Sequence, residues 1–166
     1  MELVPTEFQD LKRLAVGVIS DTHGLLRPEA LRALDGSDVI LHGGDVGQEK
    51  ILDELGAIAP VFTVRGNVDY EYWCGRLPNV LSLTLSGLGV HMVHDIAHID
   101  PHNLKGVDLV IFGHSHKPEI FHREGVTYLN PGSAGPRRFS LPTTVAKVNW
   151  THEQENLSPE LIHLLE

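Results

Sequence analysis

Hydrophobic residues along this chain fall into short runs, and the runs change character halfway. Leu14–Ser20 (LAVGVIS) is continuous, apolar and β-branched, the pattern of a strand buried on both faces. After the polar stretch DTHGLLRP, the segment PEALRALDG reads as a helix, with Pro28 in its first turn and Gly36 beyond its end. A second buried run, Asp38–Gly44 (DVILHGG), leads into a helix within DVGQEKILDELGAI, and Val61–Asn67 (VFTVRGN) is a third strand. Strand, helix, strand, helix, strand with short loops predicts right-handed crossovers and a parallel sheet.

Alternation then replaces the continuous runs. VLSLTLSGLGVHMVH holds two alternating stretches around Gly87-Leu88-Gly89 and predicts an antiparallel hairpin. DLVIFGH is a further buried strand after the loop DIAHIDPHNLKGV, and EIFHREGVTYLNPGS predicts a second hairpin turning at Arg123-Glu124-Gly125. TTVAKVNW and ELIHLL read as closing strands, although Ser158-Pro159-Glu160 would equally cap a short helix. Parallel units followed by hairpins predict two sheets packed face to face with helices outside. No repeat, low-complexity tract or linker divides the chain, so residues 1–166 read as one domain, with 1–13 an extension or a short helix before the fold.

Composition narrows the class. A chain of 166 residues buries roughly 70% of its unfolded surface, enough for a core without staples. Apolar content of 42% and charged content of 21% are ordinary for a globular protein. No run approaches the ~20 apolar residues of a membrane span, and MELVPTEFQDLKRL has no apolar core of a secretory signal. The lone Cys74 excludes an internal disulfide and fits a reducing cytoplasm. A formal charge of −9 without a basic stripe argues against long nucleic acid as a partner. The 11 histidines are the one bias that changes the picture, because imidazole is the commonest transition-metal ligand.

The polar residues gather where the strands end. The first three strands end in Asp21-Thr22-His23-Gly24, Gly43-Gly44-Asp45 and Gly66-Asn67-Val68-Asp69; the hairpin ends in His94-Asp95 and the later strand in Gly113-His114-Ser115-His116. His114 and His116, two positions apart in extended chain, point the same way. In an open α/β sheet this edge is where ligands bind. Taken singly, Asp21 and Asp45 also read as turn or helix-capping aspartates, Asn67 as a turn residue and His94 as a structural histidine. Jointly Asp21, His23, Asp45, Asn67, His94, His114 and His116 form a set of nitrogen and oxygen donors spread over five strand ends.

The motifs S-D-T-H-G, G-G-D-V, G-N-V-D, V-H-D and G-H-S-H resemble the five motifs of calcineurin-like metallophosphoesterases. With Asn130-Pro131-Gly132-Ser133 they are similar to the small bacterial and archaeal phosphodiesterase branch, over roughly Leu14 to Trp150. The resemblance implies a four-layer α/β/β/α sandwich of two mixed sheets flanked by helices. It implies two divalent metals, one held by Asp21, His23 and His116, the other by Asn67, His94 and His114, with Asp45 between them. Asp45, Asn67 and His94 are read as the catalytic residues of the set. Mixed imidazole, carboxylate and amide ligands suit Mn²⁺, the leading candidate, or Ni²⁺, Fe²⁺/Fe³⁺ or Zn²⁺. The implied reaction is in-line hydrolysis of a small phosphate ester, foremost a phosphodiester, by a water that the ions activate. Phosphomonoesters and nucleotides are the alternative substrates. A non-catalytic scaffold is the rival reading, since the eukaryotic retromer subunit shares the fold and binds proteins. Exposed sheet edges make a homo-oligomer an open expectation.

Two positions depart from the family's pattern. Val68 stands where many members have a histidine thought to protonate the leaving oxygen, which implies a preference for activated esters and diesters over alkyl phosphates. Asp95 stands where the fourth motif has glycine; it reads as a turn aspartate or as a partner of a ligand histidine. His98 is a weak candidate for a replacement acid, and His42 reads as packing or as support for the ligands. Asn130 is expected to support the site's rim, Arg137 to be solvated or to meet a phosphate, and Cys74 to be inert. Tyr70, Tyr72 and Trp73 are expected to line a pocket or to pack as a loop.

Overall fold

The computed structural model describes residues 2–165. Among these residues eleven strands form two sheets, with two α-helices and several short 3-10 turns between them. In chain order the elements are β1 (Glu2–Leu3), β2 (Arg13–Ile19), α1 (Pro28–Leu34), β3 (Val39–His42), α2 (Glu49–Gly56) and β4 (Val61–Thr63). They continue with β5 (Val80–Leu85), β6 (Leu88–Val93), β7 (Leu109–Ile111), β8 (Glu119–Arg123), β9 (Val126–Asn130), β10 (Thr144–Thr151) and β11 (Asn156–His163). One sheet runs β11-β10-β2-β3-β4 and the other β1-β5-β6-β7-β9-β8.

Both sheets are mixed. The predicted crossovers give β2, β3 and β4 in parallel, while β10 joins β2 antiparallel. In the second sheet β6, β7 and β9 are parallel and the two hairpins flank them. The main core lies between the sheets: Val16, Val18 and Leu41 of one meet Leu83, Val90, Met92 and Ile111 of the other. The outward residues Ile19, Ile40 and Val145 are covered by Ala30 and Leu34 of α1 and Ile51 and Leu55 of α2. On the far face Val110, Phe112 and Tyr128 are covered by Ile96, Ile99, Leu104 and Val107. The α/β sandwich is therefore as expected, with its fourth layer thinned to the 3-10 turns Ile96–His98 and Pro101–Asn103. Each carries an aspartate cap, Asp95 or Asp100, and is too short to continue as a helix.

Local differences have local causes. The third strand stops at Thr63, because Arg65 N–H turns to the Pro78 carbonyl and Gly66 N–H to the Asp69 carboxylate. The first hairpin turns on Ser86 and Gly87, both at positive φ, so Leu88 and Gly89 belong to β6. The ambiguous last segment is a strand paired along its whole length with β10; as an edge strand it tolerates Pro159. The first residues add a strand to β5 and bury Phe8 in the main core. Among the described residues no helix is long and apolar enough to cross a membrane.

Candidate metal centre

All the strand-end donors arrive at one edge, where the two sheets meet. Asp21 and His23 follow β2, Asp45 follows β3, and Asn67 lies beyond β4. His94 follows β6, and His114 and His116 follow β7. Five of these residues hold left-handed backbone: Asp21 (φ 54°), His23 (46°), Asp45 (57°), His114 (71°) and His116 (62°). Non-glycine residues seldom adopt that region, and each costs about 1 kcal/mol there. Concentrated at one edge, the strain marks loops held by their surroundings. Cross-loop bonds do the holding: Asp21 N–H donates to Gly44 O, His23 N–H to Asp45 O, and Gly113 N–H to His94 O.

The donor atoms form two overlapping clusters. In the first, His23 Nε2 and His116 Nε2 lie 3.2 Å apart, and Asp21 Oδ1 is 3.3 Å from His116 Nε2 and 3.7 Å from His23 Nε2. In the second, Asn67 Oδ1 is 3.0 Å from His94 Nε2 and 3.2 Å from His114 Nδ1. Asp45 Oδ2 reaches both, 3.7 Å from His23 Nε2 and 3.1 Å from His94 Nε2.

Each carboxylate keeps one oxygen for the protein and one for the site. Asp21 Oδ2 accepts from the Ser20 hydroxyl and the His114 N–H, whereas its buried Oδ1 has no hydrogen-bond partner. Asp45 Oδ1 accepts from Val68 N–H, leaving Oδ2 to face the imidazoles. His94 Nδ1–H donates to the Gly43 carbonyl at 2.7 Å, which fixes the ring with Nε2 turned toward Asp45 and Asn67. Gly66 is obligatory here, because a β-carbon on it would lie 2.1 Å from Asp45 Oδ1 and 2.2 Å from Asp45 N.

Electrostatics points the same way. Burial pushes the Asp21 carboxyl up, but the imidazoles of His116 and His23 and the Ser20 hydroxyl outweigh it and hold it far below the usual range. Asp45 is likewise raised by burial and lowered, on balance, by His94 and the Val68 N–H. Burial alone would depress His94; the carboxylates of Asp45 and Asp21 instead lift it to about 9. These donors together want a positive charge, and the orphan oxygen of Asp21 among three imidazole nitrogens is the fit a divalent metal needs.

Supporting residues pin the loops. Asp69, which no pattern in the sequence singles out, accepts backbone N–H bonds from Asp45, Val46, Gly47 and Gly66. The one sequence signal for it is a carboxylate two positions beyond Asn67, in the turn Gly66-Asn67-Val68-Asp69. The fully buried His42 bridges Thr22 and Gly44 rather than joining the donors. Asn130 donates to Gly113 O and Ser115 Oγ, and Ser133 Oγ to Asp21 O.

A recess of about 360 Å³ opens beside the second cluster, lined by Arg65, Asn67, Asn79, His94, Asp95, His98 and His114. His98 therefore stands near the donors, whereas the Val68 side chain lies at the surface, 38% exposed. Tyr72 and Trp73 line a different groove, with Glu49 and Arg76, and Tyr70 projects into solvent. A wider apolar cavity of about 480 Å³ between β4 and β5 contains none of the donor side chains.

The calcineurin-like phosphoesterase superfamily domain matches residues 14–153. A probable metallophosphoesterase of Methanocaldococcus jannaschii is 36% identical over 134 residues, covering 72% of this chain and 68% of that protein. Two solved structures share the fold: an archaeal phosphodiesterase (TM-score 0.69, 19% identity, 90% of this chain and 100% of that one), and the vacuolar protein sorting 29 protein of Cryptosporidium parvum (TM-score 0.71, 19% identity, 92% and 100%). The domain match, which spans every strand end that carries a donor, and the archaeal relative show that this chain belongs to the calcineurin-like phosphoesterase superfamily.

Proposed function

We propose that the protein is a phosphodiesterase acting on small phosphate esters with two divalent cations, Mn²⁺ foremost. Asp21, His23 and His116 would hold one ion, Asn67, His94 and His114 the other, and Asp45 both. The observation that carries this reading is Asp45 Oδ2, which faces His23 on one side and His94 on the other while Oδ1 is tied to the backbone. When bound, such a pair supplies a hydroxide at neutral pH and offsets charge on the phosphoryl oxygens.

The chain's own residues do the rest. Asp45, Asn67 and His94 fix the donor geometry around the reacting phosphate. The recess beside His94 and His114 is sized for a small leaving group, and Arg65, whose Nη2 donates to the Cys74 carbonyl, forms part of its wall. Val68 offers no proton to a departing oxygen, which favours esters with stable leaving groups, foremost diesters. The archaeal phosphodiesterase that shares the fold is consistent with this choice. A reducing cytoplasm suits the buried free thiol of Cys74.

The test is elemental analysis of purified protein, then turnover of a chromogenic phosphodiester and the corresponding monoester with added Mn²⁺, before and after chelation. The expected result is bound metal, faster diester turnover and loss of activity with chelator. A monoesterase reverses the substrate order. A protein-binding scaffold shows no turnover, and activity that survives thorough chelation refutes the reading.

A further inference from the structure

The two donor clusters are built unequally. Asp21 Oδ1 lies nearest the rings of the first, 3.3 Å from His116 Nε2 and 3.7 Å from His23 Nε2 against 3.9 Å from His94 Nε2, and those two rings are shielded, with side chains 4% and 17% exposed. The second shares Asp45 but otherwise has the neutral Asn67, His94 and His114; Asn67 is exposed, and the His114 side chain is 46% exposed. Less negative charge and a looser ring predict weaker cation binding at the second position. One more carboxylate stands behind it. His114 turns Nδ1 toward Asn67, and on the opposite side of the ring Nε2 lies 3.8 Å from Asp95 Oδ2. Asp95 is itself anchored, because its Oδ1 accepts the Ala97 N–H at 3.0 Å and caps the turn Ile96–His98.

We propose that Asp95 is a positioning residue that sets the affinity of the second cation position by acting through the His114 ring. The inference rests on the paired-ion reading above. A carboxylate facing Nε2 favours the tautomer with its proton there, which leaves the Nδ1 lone pair free for a cation. It also makes the ring a stronger donor and limits its rotation, and rotation matters most for the most exposed of the four rings. His94 receives the same service from the Gly43 carbonyl, a neutral acceptor. Asp95 therefore adds negative charge beside the cluster that has less of its own. Asp95 also lines the recess, so its action through His114 is read on cation binding with no substrate present.

The experiment is equilibrium dialysis of full-length protein against graded free Mn²⁺, counting ions per chain, for wild type, Asp95→Asn and Asp95→Gly. Asparagine keeps an oxygen for the Ala97 N–H and removes only the charge; glycine removes both. The expected result is an unchanged first equivalent and a second equivalent that half-saturates at about tenfold higher Mn²⁺ in both variants. Superimposable curves for wild type and Asp95→Asn overturn the proposal. So does a parallel shift of both equivalents, which signals general loosening, and so does a shift confined to Asp95→Gly, which assigns the effect to the lost cap. A wild-type chain that takes up fewer than two equivalents refutes the paired-ion reading itself, a separate outcome from any difference between the variants.

Discussion

At Asp45 a single carboxylate is divided between the backbone and two groups of ligand atoms. Its Oδ1 accepts the Val68 N–H, and its Oδ2 faces His23 and His94. Asparagine has nearly the same shape and tolerates the left-handed φ of 57° at this position, so Asp45→Asn removes charge with little change of backbone. The expected outcome is a loss of more than about 100-fold in kcat on a chromogenic diester, with the fold retained by circular dichroism. His42 makes a different prediction. Thr22 Oγ1 donates to the Val46 carbonyl, so it accepts from His42 Nε2–H, while His42 Nδ1 accepts the Gly44 N–H. Burial pushes this ring down from 6.5 to about 4. Between those values the unfolded chain binds a proton that the folded chain refuses, so falling pH favours unfolding. The stability lost across the window is on the order of 3 kcal/mol, with no further loss below it. His42→Gln should abolish this component, read as the difference in denaturant midpoint between wild type and variant, both metal-free, from pH 7 to pH 4. A difference that stays constant across that range refutes it.

Among the elements, the loops after β3 and β4 depend on each other through one side chain. The Asp69 carboxylate collects N–H groups from Asp45, Val46 and Gly47 on one loop and Gly66 on the other. Asp69→Asn turns an acceptor into a group that is half donor, leaving some of those buried N–H groups unmatched. The expected cost is about 2–4 kcal/mol in chemical denaturation, with faster amide exchange at Val46 and Gly47 as the local signature. Unchanged exchange there shows that other contacts hold the loop. This clamp also explains a boundary that sequence could not supply. The run Val61–Asn67 reads as one strand because Val64 continues its apolar pattern, yet pairing ends at Thr63 where Arg65 and Gly66 find other acceptors. Hydrophobic pattern reports which side chains are buried, whereas strand ends are decided by hydrogen bonds to residues distant in sequence. The donors Asp21, His23, Asp45, Asn67, His94, His114 and His116 were legible for the complementary reason: their chemistry is written in residue type, at the ends of runs that were themselves clear.

Across the whole molecule, the arrangement of strands was less legible than their existence. Alternation says which face of a strand is buried and not which strand lies beside it, so neither the insertion of β10 between β11 and β2 nor the addition of β1 to the other sheet could be read in advance. That topology matters to the site, because its donors come from both sheets. Asp21, His23, Asp45 and Asn67 follow strands of the five-stranded sheet; His94, His114 and His116 follow strands of the six-stranded sheet. A cation shared among them would add a tie between the sheets at one edge, beside the apolar core and the hydrogen bonds from His94 to the Gly43 carbonyl and from Trp150 to the Ser86 carbonyl. Since the unfolded chain does not assemble these donors, binding free energy is added to folding stability. At free metal a hundredfold above its dissociation constant the gain is about 2.7 kcal/mol per ion. For a chain of this size that raises the melting midpoint by about 5–10 °C. Wild-type protein should therefore melt at least that much higher in saturating Mn²⁺ than after chelation, measured by scanning calorimetry. Asp45→Asn should lose most of the increment while its chelated midpoint stays near that of the chelated wild type. Equal midpoints for wild type with and without Mn²⁺ would mean that the two sheets hold this edge together without help, and that the donors are a surface cluster and no metal centre.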